Sequence, residues 1–416
     1  MAVVRRVPGA CNSRRATGPT GQVTAWNRSR ALPKILYLVH NLADPAVGRR
    51  VAMFRQGGAE VELAGFRRGD APPPRLPLDR VVELDVTHDG RMLQRMRATL
   101  AAAWRAPRWA KQLRRPDVIV ARNLEMLGVA QRLMRIWAVP PILVYECLDI
   151  HRLMLRTDRV GQAMRALEQQ LMRNVELVIT SSPAFVRHYF DRYGSPPVRL
   201  VENKVFAPDI SAFGSNPVLA ADPGVLRVGW FGALRCNRSL AALQALSQRL
   251  DGHVKVTLAG RPALTELGDF HRRVAQAPHI QFRGAFAYPQ DLPALYSAVH
   301  FVWAIDFFEA GLNSNWLLPN RLYEGCLNGA IPIALAGTET ARFIERLGIG
   351  VVLPDIAQDT LVSMFAAMTP ARVLELAAGV AAQERLTFLC EARECSDLVH
   401  RLTTRQPATA VLEAAA

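Results

Sequence analysis

Three short stretches of this 416-residue chain carry side chains able to do chemistry. In the first, Asn320, Arg321 and Glu324 follow Leu318-Pro319 within NSNWLLPNRLYEGCLNGAIPIALAG, residues 313–337. Their spacing puts Arg321 and Glu324 on neighbouring faces of a helix, one turn apart. An ionised carboxylate only accepts hydrogen bonds and takes two vicinal hydroxyl protons at once, whereas a bland surface helix spends the pair on a weak exposed ion pair. In the second, Arg235 and Arg238 follow Gly232 in RVGWFGALRCNRSLAALQAL. Forked guanidinium donors hold phosphate oxygens in pairs, with help from a nearby helix N-terminus; the bland alternative is two loop arginines. In the third, Asp149 and His151 follow the apolar run Ile142 to Tyr145. A positioned carboxylate or imidazole takes the proton that an alcohol loses as it attacks; otherwise Asp149 caps the next helix and His151 packs under it.

The elements that must position these residues alternate between strand and helix. The X-Pro step at Leu318-Pro319 resists the α region and sets a helix from about Asn320 to Leu327, stopped by Asn328-Gly329. The apolar run Ala330 to Ala336 then has the length of a buried parallel strand. Near the other end, KILYLVHNLADPAVGRRVAMFRQGGAEVELAGF reads as strand (Ile35 to Val39), helix (Val47 to Phe54), glycine stop and strand (Val61 to Ala64). It lacks GxGxxG, and Asp44 stands where an N-cap belongs. Pro72 to Pro77 reads as loop, Asp117 to Val120 as strand, Glu168 to Val175 as helix, Leu177 to Ile179 and Val198 to Asn203 as strands. Beyond a proline-rich hinge, Leu226 opens a strand, a glycine turn at Gly232 and a helix; Val254 to Leu258 and His279 to Gly284 are further strands with turns, and Glu339 starts another helix. The fold expected is α/β: two doubly wound parallel sheets facing across a cleft. The divisions are a disordered basic tail over 1–31, a first domain over 32–204, a hinge over 205–225, a second domain over 226–385, and a C-terminal helix and tail over 386–416; the chain from Ala371 on reads as helical and as crossing back to brace the first domain.

Bulk composition narrows the partners. Lys+Arg 51 against Asp+Glu 36 gives a net charge of +15, almost all arginine, which favours polyanions, diphosphates or an anionic membrane. The scattered cysteines, Cys11, Cys147, Cys236, Cys326, Cys390 and Cys395, show no zinc spacing and read as reduced thiols. No acidic triplet suggests a metal, and no apolar run has the length of a membrane span. Residues 92–115 interleave Leu93, Met96, Leu100, Trp104 and Trp109 with Arg95, Arg97, Arg105, Arg108, Lys111, Arg114 and Arg115. That is the composition of a helix lying on an anionic membrane surface, with an alternative in which the apolar stripe faces the domain core.

PNRLYEGCLNGAIPIA resembles the stretch PNKLxExxAxGxPVIA of GT-B glycosyltransferases of the family-4 type, and residues 117–149 resemble the family's PDVxHAHxLxxLPAAxLAARxxGxPLVYDxHEL. Together with NSNWLLPNRLYEG and ALAGTET, the chain is most similar to the succinoglycan-type exopolysaccharide branch of that family. The resemblance implies two Rossmann-like domains and transfer of a hexose from a nucleotide sugar, a UDP-sugar, to a lipid-linked glycan. Glu324 matches the glutamate that holds the donor's ribose hydroxyls. Asn320 and Arg321 accompany it, Gly232 lets the backbone approach the donor, Arg235 and Arg238 hold the diphosphate, and Arg283 and Gly284 lie where backbone groups read the base. Asp149 and His151 become the catalytic pair, and Asp44, Asn123 and Glu125 line the acceptor side. No metal or other cofactor is called for, and no nucleic acid; the partners are the nucleotide sugar, the lipid-linked acceptor and, through Met92 to Arg115, the inner face of the plasma membrane, with a cytoplasmic body.

The chain also departs from the family. Trp316 replaces the first glutamate, Leu148 stands where the family has a histidine, and Ala233 stands where it has an arginine. Two rivals therefore stay open: a nucleotide-sugar epimerase, and a non-catalytic nucleotide-sugar-binding subunit. The loss at Trp316 also leaves retention or inversion open.

Overall fold

The computed structural model describes residues 31–69, 78, 80–88, 92–207, 213 and 224–405. The basic tail, the Pro72 to Pro77 loop and most of the hinge lie outside these residues.

Two parallel sheets carry the fold. The first has β1 (Lys34–Val39), β2 (Glu60–Arg68), β3 (Val81–Thr87), β4 (Val118–Arg122), β5 (Ile142–Cys147), β6 (Val175–Thr180) and β7 (Val198–Leu200), in the order β3-β2-β1-β4-β5-β6-β7. The second has β8 (Leu226–Leu234), β9 (Val254–Pro262), β10 (Ile280–Phe282), β11 (Phe301–Trp303), β12 (Ile331–Leu335) and β13 (Val351–Leu353), in the order β10-β9-β8-β11-β12-β13. ILYLV in β1 and ILVYEC in β5 are almost wholly buried, as strands covered by helices on both faces must be. Strand order reverses between β1 and β4 in one sheet and between β8 and β11 in the other. At such reversals the flanking loops part beyond the strands' carboxyl ends and leave a crevice for ligand.

The helices that bear on function are α1 (Pro45–Gln56), α2 (Met92–Trp104), α3 (Ala106–Ala110), α4 (Asn123–Met134), α5 (Arg159–Met172), α6 (Asn237–Arg249), α7 (Asn320–Leu327), α8 (Glu339–Leu347) and α9 (Ala392–Thr403). α9 lies against α1 so closely that a Cβ on Gly57 would come within 2.3 Å of the Cys395 carbonyl oxygen. No single helix among the described residues is long and apolar enough to cross a membrane. One bent pair, Gln358–Ala366 and Pro370–Ala381, passes by composition, but its Leu361, Phe365, Val373 and Leu376 are packed in the second sheet's core.

Several sequence expectations need correction. Gly232 is no turn: β8 and β9 stay paired from Leu226↔Val254 to Leu234↔Pro262, with Gly232 opposite Gly260. Without side chains there, the two backbones continue past the point where a loop was expected. The strand β3 was not foreseen; it is an edge strand with acids at Glu83 and Asp85. α5 begins at Arg159 because Asp158 accepts from the Gly161 N–H, and Val175 belongs to β6. Asp158 therefore fills the capping role considered for Asp149. Residues 92–115 form two helices, since Pro107 sits in the first turn of a new one, and of the two orientations left open it is the one with most of the apolar stripe facing outward that the helices adopt. Ala98, Ala102 and Ala106 are buried, while Met96, Leu100 and Trp104 are 54%, 66% and 75% exposed.

Candidate active site

The floor of the site in the second sheet is made of glycines. Gly232 (φ 104°) and Gly260 (φ 129°) lie side by side, and a Cβ on Gly260 would sit 1.9 Å from the Gly232 carbonyl oxygen. The Gly260 N–H donates to the Gly284 carbonyl at 2.7 Å, so the carboxyl ends of β8, β9 and β10 are joined through bare backbone. A Cβ on Gly232 or Gly284 would meet nothing within 4 Å. Glycine at these two positions therefore leaves backbone open to a ligand instead of filling a protein contact.

Arginines rise around this floor. Arg235 lies 4.5 Å over the Phe308 ring, and Arg238, on the first turn of α6, lies 4.1 Å over Phe307. Arg235 and Arg321 both reach Asp306 Oδ2, at 3.3 and 3.4 Å. Asp306 follows β11 and its Oδ1 accepts from the Phe308 N–H at 2.9 Å. Arg321 is 6% exposed, and its Nε has no partner among the described residues.

The helix α7 runs over the residues its punctuation predicts. Pro319 holds the extended N-cap conformation, and Gly329 turns the chain with φ 76°. Gly325 lets α7 press on β11; a Cβ there would lie 2.6 Å from Val302 Cγ1. That approach buries Glu324, which is 5% exposed. Burial pushes its carboxyl above the usual range, opposed by the Tyr296 hydrogen bond, Arg49 and Arg321. The Tyr296 hydroxyl donates to Oε2 at 2.8 Å, whereas Oε1 has no hydrogen bond among the described residues. Arg321 and Glu324 are thus not an exposed pair, since each is buried and bonded elsewhere. Arg283 makes no side-chain hydrogen bond to this group among the described residues and follows β10. It lines a cavity of about 520 Å³ with Arg227, Lys255 and His300.

Across the cleft, the first sheet's candidates are mostly engaged. Asp44 caps α1 through the Ala46 N–H and pairs with Arg122 at 2.9 Å. Although burial works the other way, Arg122 keeps the Asp44 carboxyl below its usual range. Arg122 also donates to the Tyr37 hydroxyl, which donates to Glu146, and Glu146 accepts from Arg50 Nε at 2.6 Å. Asn123, in the left-handed region at φ 68°, contacts His40 at 3.2 Å through Nδ2, while its buried Oδ1 has no partner among the described residues. Burial, with Arg122 nearby, pushes the His40 imidazole down to about 3, so it is neutral. Glu125 pairs with Arg95 at 2.6 Å.

The two sides meet through a short arm. The 3₁₀ turn Asn313–Trp316, from the second sheet's side, inserts into the first: Asn313 Nδ2 donates to Asp149 Oδ1 and to the Ile150 carbonyl, the latter at 2.7 Å. Trp316 stacks on His188 at 5.3 Å and meets Phe185 edge-on, and its carbonyl accepts from Ser182. His188 and Arg187 lie on a π-helical turn, Val186–Phe190, and Arg187 pairs with Glu339 at the start of α8, 2.5 Å away. Arg49 of α1 bridges Asn203 at 3.1 Å and Asn320 at 3.4 Å. Asp149 is exposed, and His151 is half-buried with Nδ1 accepting from the Leu153 N–H at 3.3 Å. Burial and then Arg152 lower the His151 pKa. A neutral imidazole with Nδ1 so occupied presents Nε2–H, which makes His151 a donor.

Sequence reasoning missed Asp306, Phe307, Phe308, Asn313 and His40. The one available signal was position, because His40 and Asp306 each follow a strand that flanks a sheet's reversal. Among the described residues, no group of three or more His, Cys, Asp or Glu side chains is placed to hold a metal ion.

A family model described as "Glycosyl transferase 4-like domain" matches residues 43–204. The chain is 47% identical over 377 residues to the succinoglycan biosynthesis protein ExoL of Rhizobium meliloti (strain 1021), covering 89% of this chain and 93% of that protein. Among solved structures, the sucrose-phosphate synthase of Thermosynechococcus elongatus superposes with a TM-score of 0.65 at 15% identity, covering 89% of this chain and 98% of that one. Anabaena HepE in complex with UDP-glucose does so with a TM-score of 0.61 at 15% identity, covering 88% and 98%. The lipopolysaccharide glycosyltransferase WaaG gives 0.60 at 12% identity, covering 88% and 99%. The structural likenesses speak to the fold, and the 47% identity over nearly the whole length speaks to the family. The chain thus has the GT-B fold and, by its 47% identity over most of its length, belongs with the succinoglycan-type exopolysaccharide glycosyltransferases of the family-4 type.

Proposed function

We propose that this glycosyltransferase moves a hexose from a UDP-sugar to a lipid-linked oligosaccharide during exopolysaccharide synthesis. The observation that carries the donor half is Glu324: a buried carboxylate with one oxygen unspent, beside guanidinium groups with donors to spare. That pairing suits a ribose next to a diphosphate. HepE, of the same fold, has been solved with UDP and with UDP-glucose, which supports the choice of donor. In this reading Arg235, Arg238 and Arg321 neutralise the leaving diphosphate, and the glycine floor admits its backbone contacts. Asp149, oriented by Asn313, accepts the hydrogen bond of the acceptor hydroxyl and, in an inverting course, its proton; His151 orients the sugar through Nε2–H. Family membership puts transfer ahead of epimerisation and of a purely binding role.

The acceptor half rests on α2 and α3. They bury alanines and expose Met96, Leu100 and Trp104 beside Arg97, Arg108 and Lys111. This chemistry matches an anionic bilayer and would bring the enzyme to a lipid-linked acceptor on the cytoplasmic face. The test is transfer from radiolabelled UDP-glucose and UDP-galactose to a bacterial lipid extract. Label in the lipid phase that depends on Asp149 and His151 is the expected result. Label released only to water, with none in lipid, would overturn the acceptor assignment.

A further inference from the structure

Asp306 is the residue of the donor site that neither the resemblance nor the proposed roles explain. It sits at the reversal of the second sheet, where a ligand is expected, yet it is a carboxylate in a place that on our reading receives a diphosphate. Three features of its surroundings bear on what it does there.

First, it is the common partner of two guanidinium groups, Arg235 and Arg321, through the single oxygen Oδ2. Second, the contacts, 3.3 to 3.4 Å, are longer than the 2.7–2.9 Å typical of charge-assisted bonds, so the arginines are held without being saturated. Third, donors are left over: among the described residues, Arg321 Nε is buried without a partner, and Arg238 is exposed with only the Phe307 ring beneath it. Phe307 and Phe308 immediately follow Asp306 and act as flat shelves under Arg238 and Arg235. One tripeptide, Asp306-Phe307-Phe308, therefore organises all three cations, two by charge and two by stacking.

We infer that Asp306 is a built-in stand-in for the donor's phosphate, a positioning residue that keeps the arginines gathered in the empty site and gives them up when the diphosphate arrives. The inference rests on the donor reading above. A buried arginine such as Arg321 left without a counter-charge would be costly, and Asp306 removes that cost between turnovers. The same carboxylate then repels the nucleoside diphosphate product while two arginines are drawn back to it. Asp306 thus trades ground-state affinity for release.

The test is calorimetric titration of the full chain and its Asp306→Asn variant with UDP, inorganic pyrophosphate and uridine. Asparagine removes the charge and keeps one carbonyl oxygen, which can serve either the guanidinium groups or the Phe308 N–H. The expected result is UDP and pyrophosphate binding tightened about tenfold, uridine unchanged, and turnover slowed with stronger inhibition by UDP. If Asp306 merely props up the arginines, Asp306→Asn leaves UDP affinity unchanged or lowers it, and the inference is wrong. Asp306→Ser, smaller but still an acceptor, gives the same reading should the asparagine variant fold poorly. Wild-type protein that binds neither UDP nor pyrophosphate would bring down the donor reading and this inference together. Binding by wild type without tightening in either variant would bring down the inference alone.

Discussion

The two faces of the cleft spend their polar groups differently. On the first sheet's side, Asp44, Glu125, Arg122 and Glu146 are committed to one another or to neighbouring arginines, and Asn123 is turned to His40. On the second sheet's side, and among the described residues, Glu324 keeps an oxygen, Arg321 keeps a buried donor, and Arg238 has only an aromatic shelf. A face that has satisfied its own charges is fixed in place, and on the proposed reading it contributes to recognition through Asp149 and His151. A face with unspent capacity is incomplete until a ligand arrives. The division suits a donor site that recognises a phosphate and ribose, opposite an acceptor site framed by a fixed wall.

The sharpest way to break the comparison is Arg122→Ala. If the first-sheet cluster is structural, the change takes the partner from Asp44, leaves Glu146 with Arg50 as its one cation, and costs about 3 kcal/mol of stability. Chemical denaturation measures it; a loss under about 1 kcal/mol would mean the cluster is only a surface-like pair. The sign with pH follows from Glu146, whose pKa is lowered by Arg50 and Arg122 although burial opposes them. Its contribution is present above the unfolded carboxylate pKa and is lost as pH falls through the depressed folded value.

A second carboxylate on the same side runs the other way. Glu168 is buried between the Tyr145 and Tyr189 hydroxyls, 3.1 and 2.5 Å away, and has no cation partner among the described residues. Burial raises its pKa from 4.5 to about 7, with the two hydroxyls only partly opposing it. The folded state thus holds its proton through that window, so this group's stabilisation is complete below 4.5 and lost as pH rises through 7. Wild type should lose about 2–3 kcal/mol across it relative to Glu168→Gln. Parallel pH profiles for the two proteins would show that Glu168 titrates normally.

On the donor side, Glu324→Gln should weaken UDP binding by about 1.5 to 3 kcal/mol, the loss of a charged hydrogen bond, with little change in melting temperature. Calorimetry that finds unchanged UDP affinity would remove Glu324 from the site. A large fall in melting temperature would instead place it with the committed groups of the opposite face.

What could be read from the chain divides along similar lines. The helix α7 was legible to the residue because Pro319 and Asn328-Gly329 are local signals that no distant contact overrides. The alternation of strands and helices was legible for the same reason. The choice of partner was not. Nothing near Asp306 announces Arg235 or Arg321, and nothing near Asp149 announces Asn313, 164 residues away. Gly232 looked like a turn because its partner across the sheet, Gly260, is set by folding and not by spacing.

The segment α2–α3 shows the limit most clearly, and it yields the smallest predicted effect. Its pattern of leucine, methionine and tryptophan with arginines allowed either face inward; packing chose the alanines, whose small side chains let α2 approach α4 and β3. Arg95, Arg105 and Arg114 are drawn into pairs with Glu125, Asp85 and Glu60, which leaves Arg97, Arg108 and Lys111 without an ion pair among the described residues. Each such cation near an anionic bilayer is worth about 1 kcal/mol, so Arg108→Ala with Lys111→Ala should weaken vesicle binding by about 2 kcal/mol, and less at high salt. Trp104→Ala should weaken binding to neutral and anionic vesicles alike, because its contribution is apolar burial. Flotation on both vesicle types separates the terms. Equal binding of wild type to both would remove the electrostatic part. Binding unaffected by Trp104→Ala would mean that the exposed stripe of Met96, Leu100 and Trp104 faces something other than lipid.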